Sequence, residues 1–104
     1  MDEKYWDWKN NEVDYKYYPF LSLGKCYLKT KNYKNALKTY EKALNYSKKD
    51  ELKMSECFYG MGASYYFLED DKNALKYAEK ALKLEHNNKL AKELLENSKA
   101  NLRK

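Results

Sequence analysis

An all-α fold of antiparallel helical hairpins stacked into a short solenoid is what this sequence predicts, on three observations. The first is repetition. Gly24-Lys25-Cys26-Tyr27 is followed by Asn35-Ala36-Leu37-Lys38-Thr39-Tyr40-Glu41-Lys42-Ala43-Leu44, and Gly62-Ala63-Ser64-Tyr65 by Asn73-Ala74-Leu75-Lys76-Tyr77-Ala78-Glu79-Lys80-Ala81-Leu82. In both copies the step from Gly to Tyr is three residues, from Tyr to the first Ala nine, and from Ala to Ala seven. Self-similarity of this kind marks units that bury their apolar faces only by stacking on a neighbour. The second observation is composition: Val13 is the only Val or Ile, and Gly and Pro number three and one, a mixture that supports helices and not strands. The third is apolar residues recurring at helical spacing within each copy. At 104 residues the chain allows one small domain with a modest core.

Residues 1–18 fall outside the repeat. They alternate charge with rings at Tyr5, Trp6, Trp8, Tyr15, Tyr17 and Tyr18, and read as an acidic, aromatic arm or short irregular helix. Its role is either to cover the open flank of the first repeat or to engage a partner. Pro19 is expected to open the first helix, where an amide donor would be unpaired anyway. Phe20, Leu23, Gly24, Tyr27 and Leu28 then form one apolar stripe to about Thr30. Asn32 is the expected N-cap of a second helix that runs to about Lys48 and buries Ala36, Leu37, Tyr40, Ala43 and Leu44. The first repeat is thus 19–50. The second, 51–88, opens near Asp50 or Glu51 and carries Phe58, Met61, Gly62, Tyr65 and Tyr66. It turns at Glu69-Asp70-Asp71 with Asp70 as cap, and buries Ala74, Leu75, Ala78, Ala81, Leu82 and Leu84. Residues 89–104 provide a capping helix from about Lys89 to Leu102, with Leu90, Leu94 or Leu95, and Leu102 on its apolar side.

The two copies resemble the tetratricopeptide repeat, whose first helix carries a large residue, Leu-Gly and Tyr, and whose second carries Ala, an aromatic and Ala. Here these are Phe20, Leu23, Gly24, Tyr27, Ala36, Tyr40 and Ala43, then Phe58, Met61, Gly62, Tyr65, Ala74, Ala78 and Ala81. The resemblance covers residues 17–88 and the last helix. It implies close helix approach at the Gly and Ala positions, with Phe20, Tyr27, Phe58 and Tyr65 filling the space between hairpins. The chain also departs from the pattern. Lys48 and His86 stand where the family has a proline, and Gly24 and Gly62 are 38 residues apart, about one helical turn more than the usual ~34. Lys31 and Glu69 replace the usual turn glycine, so a left-handed residue is expected there at some cost.

Charge is uneven. The formal total is +5, but residues 1–14 carry net −3 and residues 15–49, with nine Lys against Glu41, carry net +8. That excess is either a solvated lysine surface or an attraction for an acidic partner. Lys31, Lys34, Lys38 and Lys42 fall near one helix face, but with Arg103 as the only arginine no specific nucleic-acid readout is expected. Cys26 and Cys57 have no CxxC spacing and His86 is the only histidine, so neither a metal site nor any cofactor is expected. Cys26 reads as a small buried filler beside Tyr27. With no signal peptide and no membrane-spanning run, a reducing, cytoplasmic setting without membrane association is expected.

No nucleophile with a base, paired carboxylates or phosphate-cradling loop is present, so no enzyme is expected. The resemblance implies a non-catalytic module that binds a protein or peptide in the trough formed by the first helix of each repeat. Its predicted lining is Tyr18, Leu21, Ser22, Lys25, Leu28 and Lys29 from the first copy, with Glu56, Tyr59, Gly60, Ala63, Tyr66 and Phe67 from the second. Rings and lysines together call for a partner bearing acidic and apolar side chains. The family's clamp for Hsp70 and Hsp90 C-terminal tails is disfavoured, because its positions hold Leu21, Lys25, Gly60, Leu90 and Leu94, of which only Lys25 is basic. The alternative is a structural or regulatory subunit that packs into a larger assembly or self-associates through an exposed repeat edge.

Overall fold

The computed structural model describes the backbone of residues 8–104 and the side chains from Lys16 onward. Five helices follow one another among the described residues: α1 (Trp8–Lys29), α2 (Tyr33–Asn45), α3 (Glu51–Phe67), α4 (Asp71–Leu84) and α5 (Lys89–Leu102). Each packs on the next in sequence, and α1 and α5 also touch α3. The result is the all-α stack of antiparallel hairpins that the repeat predicts, with α1, α3 and α5 sharing one side.

Local chemistry sets most helix ends. The Asp50 carboxylate accepts from the Leu52 and Lys53 amides at 3.0 and 3.2 Å, Asp70 from Asn73 at 3.2 Å, and the Asn88 side-chain oxygen from Ala91 at 3.0 Å. Asn32 occupies the N-cap position of α2, but its side chain makes no cap bond. Its own amide instead donates to the Tyr27 carbonyl at 2.8 Å, which closes the turn after α1. The turn after α3 is built the same way, with Asp70 N–H donating to Tyr65 C=O at 2.9 Å. Both are six-residue C-terminal motifs that need a left-handed residue, and Lys31 and Glu69 supply it at φ 63° and 65°, as expected. Lys48 and Lys49 are left-handed as well, so α2 stops at Asn45 and not at Lys48.

One further expectation is corrected. Pro19 lies inside α1, which begins at Trp8, and does not open it. The upstream residues contain no Gly or Pro, and Pro19 removes only the bond its amide would give to the Tyr15 carbonyl. The aromatic arm falls, for residues 1–7, outside the described residues. Tyr17 is described and is wholly buried.

The core begins at that ring. Tyr17, Leu21, Ala36, Tyr40, Ala43, Cys57 and Met61 form one buried cluster. Gly24 from α1 and Gly60 from α3 flank the Tyr40 ring, and a Cβ at Gly60 would fall inside it. That ring is therefore the tie between the hairpins, while the rings expected to fill the gap pair nearer home. Phe58 and Tyr65 stack on Tyr77 at 6.0 and 5.5 Å within the second hairpin, and Phe20 stacks on Tyr46 at 5.8 Å. Ala74, Ala78, Ala81 and Ala91 are buried, and Leu94 of α5 rests over Gly62. Leu23, Leu90 and Leu102, assigned to apolar stripes, are instead 42%, 56% and 43% exposed.

Candidate functional site

The shared side of α1, α3 and α5 holds a cleft of about 310 Å³, lined by Leu21, Lys25, Leu28 and Lys29 of α1, Glu56 and Tyr59 of α3, Tyr40 of α2 and Leu90 of α5. Leu21, Lys25 and Leu28 recur at intervals of four and three, which puts them on one helical face. That spacing delivers a row of alternating apolar and basic side chains to one wall. Tyr40 reaches the floor because Gly24 and Gly60 leave room for its ring.

The cleft's electrostatics are mixed. Lys25 and Lys29 are exposed at one wall. Opposite them the Glu56 carboxylate accepts a hydrogen bond from the Tyr17 hydroxyl at 3.2 Å, which also donates to the Lys53 carbonyl at 3.1 Å. Burial, and then the charge of Glu93, pushes the Tyr59 phenol above its ordinary range. Burial likewise raises Tyr40. Tyr59 is half-buried at the cleft wall, and Tyr40 is buried beneath it. Beyond Glu56 and Leu90 a second hollow of about 430 Å³ continues over Leu52, Glu85, Asn87, Asn88 and Lys89. Leu52 and Leu90 stand exposed there, at 60% and 56%.

Of the residues predicted for the trough, Leu21, Lys25, Leu28, Lys29, Glu56 and Tyr59 meet in the cleft. The others lie elsewhere. Ser22 is exposed on α1, and Ala63 is buried. Tyr18 stands edge-on to Tyr17 at 4.9 Å beneath the Lys53 ammonium. Tyr66 and Phe67 form a separate aromatic patch in which Phe67 stacks on Tyr33 of α2 at 4.9 Å. Tyr40 and Leu90 were not among the predicted lining. Tyr40 was assigned to the core, and it serves both. Leu90 carried a usable signal, since it occupies a groove position when the last helix is aligned with the family's chaperone clamp.

Cys26 is exposed, which corrects its reading as a buried filler, whereas Cys57 is buried. Desolvation pushes the Cys57 thiol up to about 12, even though a hydrogen bond with Tyr17 works the other way. Among the described residues no cluster of His, Cys, Asp and Glu could hold a metal ion, and no helix is long and apolar enough to cross a membrane.

Residues 19–84 match the family model of the tetratricopeptide repeat, and the chain belongs to that family. Repeats of this family are protein–protein interaction modules and are generally non-catalytic. A search of curated proteins finds no match.

Proposed function

We propose that this protein is a non-catalytic module that binds a protein or peptide segment bearing acidic and apolar side chains along the side shared by α1, α3 and α5. The observation that carries this reading is the cleft itself, where an apolar floor from Leu21, Leu28, Tyr40 and Leu90 lies beside the free ends of Lys25 and Lys29. Rings and aliphatic side chains supply desolvated anchor area, while exposed ammonium groups steer encounter and fix orientation. The clamp for Hsp70 and Hsp90 tails stays disfavoured, since Gly60 is covered by Tyr40 and Leu94 is buried.

The test is to select a displayed random-peptide library on the full chain and measure the enriched peptides against variants. Enriched sequences should combine Asp or Glu with Trp, Phe or Leu. Tyr59→Ala should weaken them by ~2 kcal/mol, about thirtyfold. Lys25→Glu should chiefly slow association and flatten its salt dependence. Lys38→Glu on α2 should change little. Loss of binding in Lys38→Glu with parental affinity in Tyr59→Ala and Lys25→Glu would move the site off this cleft.

A further inference from the structure

The chain carries a segment of the chemistry this cleft selects. Residues 2–7 read Asp-Glu-Lys-Tyr-Trp-Asp, three acids and two adjacent rings around one lysine. The cleft offers Lys25 and Lys29 on one wall, Glu56 on the other, and an apolar floor between them. Acids facing Lys25 and Lys29, Lys4 facing Glu56, and a ring on the floor would satisfy both partners. A volume of about 310 Å³ admits ring side chains and excludes a second helix.

Reach decides which copy's Trp6 ring can enter. Along α1, Leu21 lies thirteen residues beyond Trp8 and Lys25 seventeen, or ~20 and ~26 Å at helical rise. Trp6 is two residues before Trp8, so its backbone extends at most ~7 Å from the start of the helix. The ring of Trp6 cannot reach the cleft of its own molecule, and although Asp2, six residues before Trp8, can extend ~20 Å, it brings the acidic end there without that ring. We propose that residues 2–7 of one copy dock in the Lys25–Lys29 cleft of a second copy. Reciprocal exchange gives a closed pair, and one-way docking an open chain. This rests on the cleft being a binding site for acidic and apolar segments, and adds that the protein itself supplies one ligand.

The experiment uses the full chain with Trp8→Phe, leaving Trp6 as the sole tryptophan. Sedimentation and emission are followed over a range of protein concentrations at about 0.05 M and about 0.5 M salt. Mass should rise with concentration, Trp6 emission should shift to the blue in parallel, and high salt should weaken association roughly tenfold or more. Two charge-reversed proteins complete the test. Lys25→Glu with Lys29→Glu, and Asp2→Lys with Glu3→Lys and Asp7→Lys, should each remain monomeric alone and associate when mixed, because each then presents the complement of the other. A monomer at every concentration, a blue shift independent of concentration, or association that survives in both reversed proteins overturns the proposal. If selected peptides still weaken on Lys25→Glu while the chain stays monomeric, self-docking fails and the binding cleft stands.

Discussion

Tyr40 shows how one residue can carry two functions. Its buried ring lies against Gly24 and Gly60, so it joins the hairpins, and it also floors the cleft. Gly60→Ala places a methyl group into that ring. Overpacking of this kind costs about 1–3 kcal/mol, of which better helix propensity returns up to about 1. A net loss of ~1–2 kcal/mol is expected in urea unfolding, and pairing it with Tyr40→Leu should cost less than the two changes added together. Ser98 presents the opposite case. Its hydroxyl is buried in α5 without a hydrogen-bond partner among the described residues, so Ser98→Ala should stabilise by about 1 kcal/mol. Equal or lower stability in that variant would show the hydroxyl to be paired.

Individual helices are held by their ends and by lysines. Lys42 lies 5.9 Å from the Phe20 ring and Lys80 5.5 Å from Phe58, and both pairs are related by the same 38-residue step. Part of the lysine excess therefore forms a repeated clip on aromatic faces, a role that charge counting alone did not suggest. At the turns, Glu69 holds φ 65°, where only glycine is free of strain. Glu69→Gly should raise stability by ~0.5–1 kcal/mol, visible as a higher melting temperature with unchanged helicity. The two turns and the last helix were legible in the sequence because they rest on local signals: a glycine position occupied by another residue, a capping Asp or Asn, and apolar spacing. The start of α1 was not, because proline marks both a helix opening and a tolerated interior position, and only packing separates the two. Tyr17 escaped for a related reason: its burial depends on Lys53 and Glu56, which are distant in sequence. In the cleft, Lys25, Lys29 and Tyr59 followed from repeat geometry. Tyr66 and Phe67 did not, because the side-chain directions at the end of α3 carry Phe67 onto Tyr33 and set Tyr66 against Phe67.

For the molecule as a whole, buried titratable groups predict how stability depends on pH. Cys57 has its thiol raised from 9.0 to about 12 by burial, and burial raises Tyr17 and Tyr40 as well. Each is neutral when folded and loses its proton more readily once unfolded. The unfolded chain therefore binds fewer protons above its own pKa, and stability falls as pH rises. The melting temperature should begin to drop near pH 9, and Cys57→Ala should move that onset toward the tyrosine range near pH 10. An onset unmoved by Cys57→Ala would assign the alkaline loss to other groups. The same burial predicts thiol behaviour. An aromatic disulfide reagent should titrate Cys26 alone in the folded protein and both thiols in denaturant, and two fast-reacting thiols in the native state would contradict the packing at Cys57.

The seat of Tyr40 is divided between two copies of a repeated unit, with one glycine in each and the ring on the helix between them. Neither unit carries a complete seat. A bulkier residue accepted at position 24 or 60 has to be answered at position 40, and a smaller one at 40 leaves a gap that 24 or 60 must fill. These three positions, far apart in the chain, are bound to vary together, so duplicating or exchanging a single hairpin transmits only part of the joint that holds it to its neighbour.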